Sequence, residues 1–317
     1  MNRSWPFIVG FFAAIVVGSS VGESDVRNEP IDPIPRTTTH DFAIVELGKK
    51  LFHDVRFSSD QKISCASCHS LEKGGADDRS VSLGVENRRG EVNTPTVFNS
   101  RFSFRQFWDG RAANLMEQIE GRFKNEMNSS WARVISVIES DSAYLAMFTK
   151  NYEDGVTAHN VKASIVAFEN TLITPNSRFD QYLRGNNQAI SNEELAGYKL
   201  FKSYGCVSCH QGVNIGGNLY QKLGAVHEYG FGKGDRHLGR FNVTKKAADK
   251  YVFKVPSLRN VALTAPYLHD GSEPTLQGVV SKMMVHQLGR LSPKEDVKLV
   301  VDFLKTLTGE YQGKPLK

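Results

Sequence analysis

The sequence predicts a mostly α-helical protein built from two domains of similar kind. Apolar residues recur at helical spacing, whereas long alternating patterns typical of strands are absent. The pattern Gly-x-Lys-Leu-Phe precedes Cys-x-x-Cys-His at 48–69 and again at 197–210, and the two Cys-x-x-Cys-His motifs lie 141 residues apart. This repeat predicts a first domain over residues 40–175 and a second over residues 176–317.

Sequence signals mark the ends of several predicted helices. Thr157 is predicted to cap a helix that Pro175 ends, and Ser191 with Glu194 forms the capping-box pattern of a helix N-terminus. A further helix is predicted to start near Pro293. Its apolar face carries Val297, Val300, Val301, Leu304 and Leu307. These apolar positions are assigned to the core.

Composition narrows the class of protein. The chain has 317 residues, of which 40% are hydrophobic and 23% charged, as is ordinary for a globular protein. Disordered, collagen-like and polytopic membrane proteins are thereby excluded. The net charge is +5, with no block of Lys and Arg, so nucleic-acid binding is not predicted.

Residues 1–20 have the pattern of an export signal. A basic start is followed by an apolar run over 6–17 and by small residues at 18–20. The run is about 12 residues long, whereas about 20 are needed to span a bilayer. We expect cleavage after the small residues and a folded protein outside the cytoplasm. Residues 21–39 are predicted to be a linker or N-terminal arm, which would act as a membrane tether if the signal were not cleaved.

All four cysteines lie in two copies of Cys-x-x-Cys-His. The copies are Cys65, Cys68 and His69, and Cys206, Cys209 and His210. This spacing predicts c-type haem attachment, because two thiols add to the haem vinyl groups and the next histidine reaches the iron. With two haems, function depends on the sixth ligand of each iron. A second strong ligand makes an electron carrier, whereas an open position binds a small oxidant such as peroxide.

Other uses of the cysteines fit the spacing less well. A four-cysteine zinc site needs pairs about 15–20 residues apart and would leave both histidines unexplained. A thioredoxin-like redox pair needs one motif in a βαβ setting, which the helical pattern does not offer. Disulfide bonds are compatible with an exported protein.

Four segments resemble those of the bacterial di-haem cytochrome c peroxidases. They are the stretch 65–75, NTPTVFN at 93–99, FWDGR at 107–111 and VPSLRNVALTAPYLHDG at 255–271. The resemblance extends from about Ala43 to the end of the chain. It implies two cytochrome c-like domains, each with one covalent haem c. The first haem would be peroxidatic and the second would accept electrons.

The same resemblance implies an activity and partners. The protein would reduce hydrogen peroxide to water in the periplasm, with electrons from a small cytochrome c or a copper protein. A homodimer is a further expectation, and no nucleic acid is involved.

The resemblance also implies the iron ligands. His69 would hold the peroxidatic iron, while His210 and Met283 would hold the second iron. Met283 lies 14 residues after His269, and a thioether ligand would raise the potential of a haem through which electrons enter. Met284 is the neighbouring alternative, and packing in the core is the alternative role for either methionine.

Three residues match the family's polar and aromatic positions near the haems. Trp108 corresponds to a tryptophan between the haems that assists electron passage. Glu126 would move a proton between the two peroxide oxygens as the O–O bond breaks, and Gln118 would orient the peroxide. Because the chain is two residues shorter than the family pattern between Trp108 and Glu126, the alternative for Glu126 is an exposed glutamate on a helix.

A calcium site is also implied by the resemblance. Asn93, Thr264 and Pro266 match a site at the domain interface, where hard oxygen ligands suit calcium. Water molecules would have to complete the shell. The alternative is that all three are ordinary loop residues.

The chain departs from the family pattern at Val85. Many family members carry a histidine there that closes the resting peroxidatic haem, and valine cannot bind iron. Residues 70–107 contain no His, Met or Cys, and Lys73 would have to lose its proton to coordinate. Met116 and Met127 are the other candidate ligands, or packing residues. We predict an open first haem that reacts with peroxide without prior reduction.

Two rival functions share the haem motifs. One is the related di-haem enzyme that matures a quinone cofactor in methylamine utilisation, whose tyrosine stands where this chain has Met283. The other is a non-enzymatic di-haem electron carrier or sensor, which predicts two six-coordinate haems and negligible peroxide turnover.

Overall fold

The structure is a computed structural model that describes residues 27–291 and 293–317. Helices form most of its regular secondary structure. The mostly helical fold predicted from the sequence is confirmed. No helix within these two described stretches is both long and apolar enough to span a bilayer. The export signal predicted over 1–20 lies outside the described residues.

Six helices belong to the first half of the chain, residues 40–175. They are α1 (Phe42–His53), α2 (Cys65–Cys68), α3 (Leu115–Asn125), α4 (Trp131–Glu139), α5 (Ser142–Asn151) and α6 (Ala158–Glu169). Thr157 caps α6 as predicted, since its side chain accepts a hydrogen bond from the amide of Asn160. The half is centred on α1, which packs against α6.

The second half, residues 176–317, contains five described helices and four short strands. They are α7 (Arg178–Leu183), α8 (Asn192–Ser203), α9 (Phe241–Thr244), α10 (Leu276–Lys282), α11 (Lys294–Lys305), β1 (Tyr220–Lys222), β2 (Val252–Lys254), β3 (Glu310–Tyr311) and β4 (Lys314–Pro315). Ser191 and Glu194 form the predicted capping box of α8. Helix α8 packs against α11.

Glycines allow the two helix pairs to cross closely. A Cβ at Gly48 in α1 would lie 1.8 Å from the carbonyl oxygen of Ser164 in α6. A Cβ at Gly197 in α8 would lie 1.9 Å from the carbonyl oxygen of Leu299 in α11. Any side chain at either glycine would force the helices apart, which explains why the repeated sequence pattern begins with glycine.

Residues 27–36 form an arm that packs against the second half. Ile31 and Ile34 are fully buried, and the guanidinium of Arg259 donates to the carbonyl of Asp32 over 2.7 Å. The described part of the predicted linker or N-terminal arm is therefore held by tertiary contacts. Its lack of apolar periodicity did not indicate this docking.

The C-terminal segment crosses in the opposite direction. Strands β3 and β4 pair as a small hairpin, and the ring of Tyr311 lies 5.1 Å from that of Phe98 in the first half. Leu316 also packs against the first-half core. Each half is thus completed by a terminal segment from the far end of the chain.

Candidate haem and electron-transfer site

The first Cys-x-x-Cys-His motif occupies α2 and the residue after it. The amide of His69 donates to the carbonyl of Cys65 over 3.0 Å, and Nδ1 of His69 donates to the carbonyl of Gly75 over 3.2 Å. Gly75 has a φ of 77°, and a Cβ there would lie 2.6 Å from Oγ1 of Thr96. A glycine is needed at this point for the loop to close on the histidine ring.

The second motif repeats this arrangement on a single 3₁₀ turn, Cys206–Ser208. The amide of His210 donates to the carbonyl of Cys206 over 3.0 Å, and Nδ1 donates to the carbonyl of Ile215 over 3.2 Å. Burial lowers the pKa of His210 to about 4. The imidazole is therefore neutral at physiological pH, which is the form that binds a metal.

Both motifs fit a haem. The two thiols of each motif lie on one turn, which is the arrangement needed to reach the two vinyl groups of a porphyrin. A histidine that donates from Nδ1 keeps its lone pair on Nε2, and the hydrogen bond orients the ring and raises its basicity toward iron.

The two adjacent methionines have different environments. Met284 is 1% exposed and packs in the core of the second half. Met283 is only partly buried and begins a π-helical turn that runs to Gln287. The turn, of a kind frequently found at functional sites, contains both methionines; because Met284 is packed in the core, Met283 is the candidate ligand.

Trp108 contacts both halves of the chain. Its indole Nε1 donates to the carbonyl of Asn93 over 2.9 Å, and its own carbonyl accepts from the amide of Lys254 over 2.8 Å. Its ring meets that of His269 edge to face, with 6.4 Å between centroids. A tryptophan in this position touches the first half through Asn93 and the second half through Lys254 and His269.

His269 ends a chain of hydrogen bonds that sequence reasoning missed. Nε of Arg236 donates to Nε2 of His237 over 3.0 Å, and Nδ1 of His237 lies 2.9 Å from Nε2 of His269. Since His237 accepts at Nε2, its proton lies on Nδ1 and is donated to His269. Atoms of both rings and of Asp270 lie within 4.8 Å of one another. The proton on Nδ1 of His237 favours hydrogen bonding over a metal ion there.

The predicted distal residues lie on α3 and just beyond it. Gln118 is half-buried on α3, and Glu126 is half-buried immediately after the helix. The amide of Val85 donates to the carbonyl of Glu126 over 3.1 Å, and a Cβ at Gly84 would lie 2.8 Å from that carbonyl. Val85 is 2% exposed. The loop in which many family members carry a histidine, and this chain carries Val85, is therefore packed against the segment of Glu126.

The three predicted calcium ligands lie along one boundary between the halves. Asn93 is buried, and its amide donates to the carbonyl of His269 over 2.8 Å. Thr264 and Pro266 belong to the same segment as His269, and a Cβ at Gly74 would lie 3.4 Å from Cγ2 of Thr264. The side-chain amide of Asn93 donates to the carbonyl of Arg79.

Comparisons with known proteins decide the family. A model described as di-haem cytochrome c peroxidase matches residues 43–188. The chain is 47% identical to the cytochrome c peroxidase of Escherichia coli (strain K12) over 289 residues, or 90% of this chain and 62% of that protein. It is 45% identical to the cytochrome c551 peroxidase of Nitrosomonas europaea over 286 residues, or 89% of this chain and 85% of that protein. The chain belongs to the di-haem cytochrome c peroxidase family.

Solved structures support the same fold for this peroxidase-family chain. It resembles the crystal structure of a MauG-like protein associated with microbial copper homeostasis, with a TM-score of 0.76 and 26% identity over 89% of this chain and 94% of that one. A protein named methylamine utilization protein MauG, from Methylophilus methylotrophus, is 29% identical over 84% of this chain and 80% of that protein. The family resemblance inferred from the motifs is confirmed.

Two further buried residues of this peroxidase-family chain were not predicted. Lys254 lies in the segment FKVPSLRN, where a cation stands beside apolar residues. His237 lies in a loop without a motif. A charged residue within a strand-like apolar run is the signal that could have identified Lys254, whereas no sequence signal identifies His237.

Proposed function

We propose that this chain is an exported di-haem cytochrome c peroxidase that reduces hydrogen peroxide to water. The observation that carries the proposal is the pair of Cys-x-x-Cys-His turns, each with its histidine oriented by a backbone carbonyl. Identities of 40–47% to proteins named cytochrome c or cytochrome c551 peroxidase support it. The chain spans 62% of the length of the E. coli relative.

The first half would carry the reaction with peroxide. Cys65 and Cys68 would hold a haem whose iron His69 would ligate, and this group would supply the site at which the oxidant binds. Gln118 orients the bound peroxide, and the carboxylate of Glu126 moves a proton from the inner to the outer oxygen. Two electrons and two protons then convert one peroxide into two water molecules. Proton transfer by such a group contributes about 10²–10⁴ to the rate.

The second half would receive the electrons. His210 and Met283 hold the iron of a haem attached to Cys206 and Cys209, and thioether ligation keeps its potential high enough to accept electrons. A small soluble redox protein, either a cytochrome c or a copper protein, is the proposed donor. Trp108, which touches both halves, lies on the proposed path between the haems.

Calcium at the boundary between the halves is part of the proposal. Carbonyl and side-chain oxygens of Asn93, Thr264 and Pro266 would bind the ion together with water. The hydrogen bond from the amide of Asn93 to the carbonyl of His269 supports this arrangement, because it joins the two segments concerned. Removal of calcium by a chelator should slow electron transfer between the haems.

A maturation enzyme of the methylamine-utilisation type is the second candidate. Proteins with that name are 29–30% identical to this chain, which is less than the peroxidases. Met283 also argues against it, because the related enzyme has a tyrosine at this position. A non-enzymatic electron carrier is the third candidate, and it requires a sixth protein ligand on the first haem.

One set of measurements separates these functions. A pyridine haemochrome assay should give two covalent haems per chain, and the EPR spectrum of the oxidised protein should contain a high-spin haem. Peroxide should be consumed at the expense of a reduced cytochrome c. Two low-spin haems and no peroxide turnover would instead indicate an electron carrier. Detection of the mature protein in the periplasmic fraction tests export.

A further inference from the structure

Lys254 is a mostly buried cation for which the described residues supply no counter-charge. The residue is 8% exposed, and its Nζ forms no hydrogen bond or ion pair with any residue in the described ranges. Burial alone lowers the pKa of Lys254 to about 8. The side chain is therefore mostly charged at neutral pH, and burying most of an unpaired lysine has a free-energy cost.

The pairing of β1 with β2 shows which way this side chain projects. Lys254 lies directly opposite Tyr220 in the antiparallel register, and opposed residues project from the same face of a sheet. Its neighbour Phe253 projects from the other face, where its ring stacks 4.5 Å from that of His269. Lys254 therefore lies on the face of Tyr220, whose ring contacts Phe104 of the first half.

The protein groups around this face are mainly cationic. The guanidinium of Arg240 lies 4.0 Å from the ring centroid of Tyr220 and donates to its hydroxyl. Asp109, which also acts on Tyr220 electrostatically, is already paired with Arg111 over 3.0 Å. Arg240 thus adds positive charge on this face, and the carboxylate of Asp109 is paired with Arg111.

The segment that contains Lys254 contacts both Trp108 and His210. Its amide donates to the carbonyl of Trp108 over 2.8 Å. Two residues further on, the carbonyl of Pro256 contacts the ring of His210, and a Cβ at Gly216 would lie 2.2 Å from that carbonyl. Two residues of extended chain span at most about 7 Å, so the backbone of Lys254 is close in the chain to the segment that contacts the proposed iron ligand.

We propose that Lys254 is the counter-charge for a propionate of the haem held by His210. This inference rests on the proposed attachment of that haem. A haem carries two carboxylates, and one of them would pair with the ammonium of Lys254. Lys254 would then be a positioning residue whose charge raises the potential of the second haem, because a nearby cation disfavours the additional positive charge of ferric iron.

Two substitutions of Lys254 test the proposal in the haem-loaded protein. Lys254→Met removes the charge at similar length, whereas Lys254→Arg keeps it. The potentials of the two haems are measured by redox titration of their visible bands, and the melting temperature is followed in parallel. Haem content is first checked by pyridine haemochrome.

The expected potential and melting temperature differ for a paired and an unpaired lysine. If Lys254 pairs with the propionate, Lys254→Met lowers the second haem's potential and the melting temperature, while Lys254→Arg stays close to the original protein on both. An unpaired lysine predicts no change in potential and an equal or higher melting temperature in Lys254→Met, and this result would overturn the proposal. A shift confined to the first haem would also overturn it.

The outcome is separable from the proposed peroxidase activity. Unchanged potentials in variants that still consume peroxide refute only the role of Lys254. A lowered second-haem potential in a protein that does not reduce peroxide refutes only the proposed peroxidase function.

Discussion

In both halves of the molecule two helices cross at a glycine and an aromatic pair lies beside the crossing. In the first half the rings of Phe52 and Phe168 lie 5.3 Å apart, and in the second the rings of Phe201 and Phe303 lie 5.2 Å apart. The first helix of each pair leads to a Cys-x-x-Cys-His turn whose histidine donates to a loop carbonyl. The two crossing helices and the Cys-x-x-Cys-His turn form a repeated frame that would hold one haem in each half.

The correspondence continues beyond the histidines. Asn99 and Asn260 are both buried and both left-handed, with φ of 61° and 60°. They meet at Thr174, whose side chain hydrogen-bonds to each. The turns that contain Trp108 and His269 share the pattern x-Asp-Gly, so these two residues occupy equivalent positions and their rings contact each other.

The halves differ in the segments that come after these equivalent turns. After Trp108 the chain enters α3, which carries Gln118 and leads to Glu126. After His269 it enters α10 and the π-helical turn that begins at Met283. The comparison teaches that one repeated frame would serve both proposed haems, while the segment after the turn would supply the sulfur ligand Met283 in one half and the polar groups Gln118 and Glu126 in the other.

The largest effect is expected from removing the cysteines that would attach one of the two haems. Replacement of Cys206 and Cys209 by alanine should remove the second haem and, with it, electron entry from the donor. Replacement of Cys65 and Cys68 should remove the first haem and peroxide turnover, while leaving a second haem that the donor still reduces. Pyridine haemochrome and donor oxidation kinetics measure both. Equal loss of donor reaction in the two double variants would contradict the division of roles.

The next largest effect is expected at Glu126, the proposed proton-transfer group of the first half. Glu126→Gln should slow peroxide reduction by about 10²–10⁴, because the amide cannot accept the proton. Peroxide binding and the second haem's potential should be unchanged. Glu139→Gln, at an exposed site on α4, is the control and should keep full activity. A similar modest effect of both substitutions would show that Glu126 does not transfer the proton.

The packed loop of Val85 predicts how the first haem responds to peroxide. Stopped-flow mixing of the fully oxidised protein with peroxide should give a rapid spectral change without added reductant. Val85→His would introduce a ligand and make the reaction dependent on reduction, whereas Val85→Ala should remain open. If the unmodified protein reacts only after one electron is added, another ligand closes the first haem.

A potential measurement tests the feature found only in the second half. Met283→His should lower the second haem's potential, because imidazole stabilises ferric iron more than a thioether does, and turnover with a soluble donor should slow. Met284→Leu keeps an apolar side chain in the core and should leave the potential unchanged. The reverse result would assign the ligand to Met284.

The smallest expected effect is on the free energy of unfolding, and it concerns Glu169 in the crossing helix α6. Glu169 follows Phe168 as Leu304 follows Phe303, and both residues are buried, but Oε2 of Glu169 is without a hydrogen-bond partner among the described residues. Burial raises the pKa of Glu169 to about 8. Because the folded pKa lies above the unfolded value, the stability contributed by protonated Glu169 is complete below about pH 4.5 and is lost as the pH rises toward 8.

Glu169→Gln should therefore stabilise the protein at high pH only. The gain in the free energy of unfolding should approach about 1–3 kcal/mol at pH 8 and be near zero at pH 4.5. Denaturant unfolding at both pH values measures it, with Glu139→Gln as the control. A pH-independent difference would show that the carboxyl of Glu169 does not titrate in this range.

The sequence predicted what is encoded locally. The helical class, the caps at Thr157 and Ser191, and the two cysteine motifs each depend on a few neighbouring residues, so their signals are visible along the chain. The equivalence of Trp108 and His269 is visible only as a shared x-Asp-Gly. Their contact depends on how the two halves pack.

The features that were missed depend on distant parts of the chain. Ile31 and Ile34 are buried by residues more than 140 positions away, so no local periodicity marks them. The isolation of Lys254 becomes visible only when all its neighbours are known. His237 gains its role from the geometry of Arg236 and His269, which the loop sequence does not specify.

The crossing of the two chain ends has a consequence for how the protein is made. Residues 27–36 are synthesised long before Arg259, which lies 227 residues after its partner Asp32, while Tyr311 packs against a half that is synthesised before it. Contacts of such long sequence separation slow folding. A cut between residues 175 and 190 would leave two fragments that each lack a segment belonging to their own core.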